Sequence, residues 1–296
     1  MAERKRGLVL SGGGGRGAYQ AGVYKYLEEI GFVPDIIAGT SVGAINAVAI
    51  ASGMKAFELC ELWAEINSDD VFRLSFWKTI WRFLVRSFSP LADITPLKRL
   101  LEAKLNLENL RTSNQQIFIS AVNILTAELK FYTNRDIEIP HILASSAIPL
   151  VFPWQYIDGM PYWDGGLMAN TPIQPVIEAG AREIVVILLS PVGGKTELGL
   201  PRSKRESIER VFELSLIGSY QLVSSYLHKE KEKVSRMNFF EQFLYTFGHD
   251  SKGVKIYTLS PSEPLGLGSI MRFTPGQSRK LIEKGYTDAR KKGLFK

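Results

Sequence analysis

The chain has 296 residues, 45% hydrophobic and 22% charged, with 36 basic against 30 acidic side chains and a net charge of +6. That is enough apolar sequence for one large core or two small ones, and no Pro/Gly/Ser-rich linker, low-complexity tract or internal repeat divides it, so one domain is expected. The lone cysteine, Cys60, excludes an intrachain disulfide and a cysteine-rich zinc site, and no run of about 18 apolar residues exists to span a bilayer.

The first element is a short apolar strand at 7–10. Its core, Leu8-Val9-Leu10, follows a basic start but is too short for a signal peptide, so a cytoplasmic location is expected. A glycine loop follows, Ser11-Gly12-Gly13-Gly14-Gly15-Arg16-Gly17, and then a helix from Ala18 to Ile30. Unpaired N–H groups of such a loop, at a helix N-terminus, form an anion site. Gly12, Gly14 and Gly17 satisfy a dinucleotide fingerprint, but the acidic partner it needs at the far end of the second strand is absent: Asp35 lies at that strand's start, on the wrong edge of the sheet. No Lys followed by Ser or Thr closes a phosphate loop. The oxyanion of an acyl intermediate fits best.

The strand at 35–39 runs into Gly39-Thr40-Ser41-Val42-Gly43 and a small, apolar helix, Ala44 to Ala51. A serine between strand and helix, with Gly39 and Gly43 two residues to either side, reads as a nucleophile elbow. Cys60 falls in an apolar helix and reads as a small core residue. From Arg73 to Ser89 a helical period puts Lys78, Arg82 and Arg86 on one face and Trp77, Trp81 and five other large apolar residues on another. Such a stripe suits an anionic membrane surface and equally suits a helix packed on the body of the protein.

Strand-like runs at 117–122, 184–190 and 254–259 alternate with helical stretches, the pattern of a mostly parallel α/β sheet flanked by helices on both faces. Asp164, followed by Gly165 and Gly166, is a carboxylate that close backbone approach could aim at a hydroxyl. The three histidines are weaker bases for Ser41: His141 follows Pro140 at a helix start, His228 lies in a charged helix face, and His249 lies in a turn. The basic end, Arg290 to Lys292 with Lys296, reads as a solvated tail. No nucleic-acid motif accompanies the positive charge, so nucleic acid is not an expected partner.

Gly12 to Gly17, Gly39 to Gly43 and Asp164-Gly165-Gly166, with Ala144 to Pro153 between them, resemble in type and order the blocks of the patatin-like phospholipases. The resemblance runs from about Gly7 to Pro191, and the 260–289 stretch is similar to the tails of bacterial members. It implies a three-layer α/β/α fold with a catalytic core at 7–192 and a mainly helical C-terminal extension, 193–296, completing the same domain. It further implies Ser41 as nucleophile, Asp164 as the other half of a Ser-Asp dyad, and an oxyanion hole formed by Gly12, Gly13, Gly14, Gly15, Arg16 and Gly17. Ser11 departs from the pattern, since many members carry Asp there. The implied activity is hydrolysis of fatty-acyl esters of membrane phospholipids or other lipids without metal or cofactor, with peripheral contact to an anionic membrane. Acyl transfer or thioester cleavage by the same dyad, and a non-catalytic lipid-binding module, are the alternatives. Head-group preference, oligomeric state and activating partner are not set by the sequence.

Overall fold

A computed structural model describes residues 5–74, 92–192, 200–235 and 253–294. The strands are β1 (Arg6–Leu10), β2 (Ile36–Gly39), β3 (Arg73–Leu74), β4 (Ala92–Asp93), β5 (Gln116–Asn123), β6 (Leu129–Tyr132), β7 (Gln155–Ile157), β8 (Met160–Asp164), β9 (Glu183–Ile187) and β10 (Lys255–Leu259). The helices are α1 (Gly17–Glu29), α2 (Val42–Ala51), α3 (Ala56–Glu65), α4 (Ser68–Val71), α5 (Thr95–Lys104), α6 (Leu107–Thr112), α7 (Ile139–Ser145), α8 (Gly166–Ala169), α9 (Gln174–Glu178), α10 (Lys204–Ser235) and α11 (Pro275–Lys292).

Successive strand residues point to opposite faces, and β1 shows the result. Leu8 and Leu10 enter one core, built with α1, α2 and α3, while Val9 enters a second with α9. β2 and β9 divide in the same way, so the sheet is covered on both faces. Five strands, in the order β10-β9-β1-β2-β5, are parallel. Successive strands step from β1 to β2 and β5 on one side, and β9 returns to the other side of β1. This reversal opens a crevice at the carboxyl end of β1.

The sheet is more mixed than the sequence reading implies. β6 and β8 pair antiparallel with β5, and β7 pairs antiparallel with β8. The β7–β8 hairpin turns at Asp158-Gly159, both at positive φ (50° and 75°), as a tight hairpin turn requires. The run expected at 184–190 leaves the ladder after Ile187. There the Leu188 N–H donates to the Leu259 carbonyl, and the Leu189 N–H to Ser11 Oγ.

The helix expected from Arg73 starts differently. Arg73 and Leu74 form β3, paired with β4, because antiparallel partners at 92–93 satisfy their backbone groups. The rest of that stretch, including Trp77, Lys78, Trp81, Arg82 and Arg86, lies outside the described residues. Among the described residues no helix is long and apolar enough to cross a membrane.

Candidate active site

β1 and β2 are in register with Leu10 beside Gly39, so the glycine loop and Ser41 emerge together at one edge of the sheet. Ser41 sits at φ 57°, ψ −128°, a region sterically poor for a side chain, between the end of β2 and the first turn of α2. The strain persists because the surroundings leave no slack. A Cβ on Gly39 would strike the Gly43 carbonyl, and one on Gly43 would strike the carbonyls of Leu10 and Ser11. The Ser41 N–H donates to Ser145 Oγ (3.1 Å), so the 144–153 block buttresses the elbow. Thr40 Oγ1 is tied to Ser120 Oγ (2.6 Å) and to the Ala169 carbonyl (2.8 Å).

The six loop residues implied as an oxyanion hole do not act alike. The N–H groups of Gly12 and Gly15 donate to the carbonyls of Asn170 (3.1 Å) and Ile270 (2.8 Å), and those of Arg16 and Gly17 to Gly13 and Gly14 within the loop. Among the described residues the N–H groups of Gly13 and Gly14 are left without an acceptor, and both residues line the cleft that holds Ser41 and Asp164. The Arg16 guanidinium turns away from the cleft. It is fully buried and donates to Glu213 (2.5 Å), the Gly266 carbonyl, Ser269 Oγ, Ser190 Oγ and the Leu189 carbonyl. A guanidinium has five N–H groups and no acceptor, and here they clamp the loop to α10 and to the 266–270 turn.

Asp164 ends β8 beside Ala121 of β5 and is 5% exposed. Burial, the largest influence, pushes its carboxyl up to about 7. The Gly166 N–H (2.7 Å) and a side-chain hydrogen bond with Ser41 favour the ionised form and oppose the rise. Asp164 and Ser41 therefore face one another, with the carboxylate near the middle of its titration at neutral pH.

Two cavities meet at Ser41. One, of about 60 Å³, is nearly all apolar and runs along α2 past Val42, Ile45 and Ala49 to Leu101 and Leu105, with Trp63, Phe152 and Phe273 among its walls. The other holds Asp164, Gly13, Gly14 and Asn170, and its rim carries Leu150, Leu167 and Leu216.

The patatin-like phospholipase family model matches residues 8–177, more than half the chain. The chain belongs to the patatin-like phospholipase family. Among curated relatives of this patatin-like chain, the cGAMP-activated phospholipase of Pseudomonas aeruginosa is 30% identical over 181 residues, 56% of this chain and 53% of that protein. Lysophospholipase NTE1 of Cryptococcus neoformans is 27% identical over 184 residues, 61% of this chain and 11% of that one. The match thus spans about half the length of the first of these and a small part of the second. Among solved structures, VipD from Legionella pneumophila aligns with a TM-score of 0.47 and 15% identity, covering 98% of this chain and 67% of that chain.

Other residues of this patatin-like site escape the sequence reading. Trp63 Nε1 donates to Asn46 Oδ1 (2.9 Å), Asn46 Nδ2 to Gln20 Oε1 (2.9 Å) and the Gly17 carbonyl (3.1 Å), and Gln20 Nε2 to the Ser11 carbonyl (2.7 Å). This buried chain braces the loop from beneath. Its signal is a single polar residue, Asn46, inside an otherwise apolar run. Ser11, the departure from the family pattern, accepts the Leu189 N–H (3.1 Å). The Val42 N–H, first in α2, has no acceptor among the described residues, and Val42 borders the apolar cavity.

His141 lies elsewhere. Its Nδ1 accepts the Glu138 N–H (3.1 Å) at the start of α7, its ring meets Tyr132 edge-on, and burial lowers its pKa. The His228 side chain and His249 lie outside the described residues. Asp35 accepts the Arg6 N–H (2.7 Å) at the entry to β1, on the edge away from Ser41.

Proposed function

We propose that this protein is a serine lipid acyl hydrolase acting on phospholipids or related fatty-acyl esters through Ser41 and Asp164. The observation that carries the reading is the pairing of a strained, elbow-borne serine with a buried aspartate whose pKa is raised to about 7. A carboxylate at its usual pKa is a weak base; raised to near the working pH, it is matched to taking a hydroxyl proton.

In the proposed sequence, Ser41 Oγ attacks the ester carbonyl as its proton passes to Asp164. The tetrahedral oxyanion sits between the N–H groups of Gly13 and Gly14, with Val42 at the helix N-terminus as a third donor. Collapse breaks the bond to the leaving oxygen, which takes the proton from Asp164. Water, deprotonated by Asp164, then attacks the acyl-serine; collapse restores Ser41 and releases the fatty acid. The apolar cavity along α2 suits the acyl chain, and the cleft beside Asp164 suits the leaving group and then water. Family membership and the names of the relatives support the lipid substrate.

The test combines labelling by a fluorophosphonate with fatty-acid release from a panel of defined lipids. Wild type should be labelled and release fatty acid. Ser41→Ala should lose both, and Asp164→Asn should fall below about a tenth of wild-type turnover while remaining folded. Labelled protein that releases no acid but transfers acyl groups to an added alcohol would favour acyl transfer, and an unlabelled wild type would favour a lipid-binding module.

A further inference from the structure

α10 shows two unlike faces. Its inner face is committed: Glu213 holds Arg16, the Leu216 carbonyl accepts from Asn170 (2.9 Å), Ser219 Oγ accepts the Thr171 N–H (3.2 Å), and Tyr220 meets Thr258 (2.8 Å). On its outer face Val211, Leu214 and Leu222 are 68%, 53% and 76% exposed. At about 100° per residue these three share one arc with Ser215, Gly218 and Ser225. Residues 214–227 contain no Asp, Glu, Lys or Arg, whereas Arg202, Lys204 and Lys229, with the acid Glu206, stand exposed beyond the two ends. Leu150, Leu167 and Met168 are also more than half exposed. Leu150 and Leu167 line the same cleft as Ser215, Ser41 and Asp164, so the apolar stripe runs into the mouth of the site.

Single exposed apolar residues are ordinary, but a continuous apolar surface rimming a cleft marks a site of interaction. We propose that the outer face of α10, with Leu150, Leu167 and Met168, docks on a lipid bilayer and opens the Ser41 cleft directly onto it. The inference rests on the lipid-hydrolase reading. An ester drawn from a bilayer through this rim reaches Ser41 without crossing water, whereas a second copy seated there would close the mouth. The basic residues at both ends of the uncharged stretch complement anionic head groups. This surface differs from the Trp77–Arg86 stripe expected from the sequence.

The experiment is sedimentation with vesicles of phosphatidylcholine and phosphatidylglycerol, paired with hydrolysis of a short water-soluble ester. Val211→Glu, Leu214→Glu and Leu222→Glu combined, and the corresponding three-serine variant, should each weaken vesicle binding at least tenfold. Soluble-ester turnover should stay within twofold of wild type. Trp77→Ala with Trp81→Ala should weaken binding less than either triple. Vesicle binding within twofold of wild type in both triples would overturn the proposal, as would a wild type that does not sediment. A wild-type dimer that the triples dissociate, with vesicle binding unchanged, would overturn it in favour of a second copy. Sedimentation repeated with Ser41→Ala reads docking without chemistry, so a failure of the hydrolase reading appears only in the ester assay.

Discussion

At the scale of single residues, Asp164 links activity to stability. If Asp164 is the base, as proposed, it must be ionised, so hydrolysis of a soluble ester should rise with pH and level off above about 7, where Asp164 has lost its proton. The stability effect runs the other way. The folded state holds the Asp164 proton to a higher pH than the unfolded chain, whose aspartate titrates near 4. Ionisation therefore favours unfolding increasingly between pH 4 and 7, by up to about 4 kcal/mol at the plateau. Asp164→Asn keeps an acceptor for the Gly166 N–H and removes that cost. It should unfold later than wild type in urea at pH 8 and match it below pH 4; a variant less stable at pH 8 would contradict the burial argument. His141 accepts the Glu138 N–H at the start of α7, and with Asp164 as the proposed base His141→Gln should leave turnover within a few fold. A loss of a thousandfold with normal stability would instead make it the base.

At the scale of elements, close packing of backbones positions the loop. α1 and α11 cross where Gly22 faces the Ile282 carbonyl and Gly285 faces the Tyr19 carbonyl, leaving no room for a Cβ at either place. In a free helix, Gly→Ala stabilises by about 1 kcal/mol. Here Gly22→Ala and Gly285→Ala should each destabilise by about 1–3 kcal/mol, since backbone on both sides must move; chemical denaturation gives the sign. The Arg16–Glu213 pair joins the glycine loop to α10 by a different means. Glu213→Ala strands a fully buried guanidinium, for which about 3–5 kcal/mol is the expected loss. Because α10 also holds Asn170, this variant should lower turnover even at temperatures where it remains folded.

At the scale of the whole molecule, the proposed reaction divides the substrate between the two cavities. Ala49 lies on α2 two turns beyond Ser41 and lines the apolar cavity. Ala49→Trp should lower kcat/KM for long-chain esters at least tenfold relative to short ones, because the indole fills the acyl path before it reaches Leu105. Equal losses for both chain lengths would assign the acyl chain to the other cavity.

Much of this was legible in the sequence because it is local. The Gly39–Gly43 spacing requires a strained serine between strand and helix, the apolar runs give the parallel strands, and Asp35 falls at the wrong end of its strand for a dinucleotide by simple counting. The β7–β8 hairpin escapes the sequence reading although its Asp158-Gly159 turn is local, because the alternating pattern around it is too short to declare two strands. What the chain alone could not decide depends on partners far apart in sequence. Which N–H groups of the glycine loop remain free is fixed by the carbonyls of Asn170 and Ile270, and Arg16 is turned away from the cleft by a glutamate nearly two hundred residues on. The elevated pKa of Asp164 likewise arises from burial at the end of an antiparallel strand that no periodicity announced. Sequence by itself singled out the candidate reacting groups, since spacing and residue type carry that chemistry. Only tertiary structure decided which groups meet, which are already satisfied and how far from water they lie, because burial and hydrogen-bond partnership are properties of the packed chain.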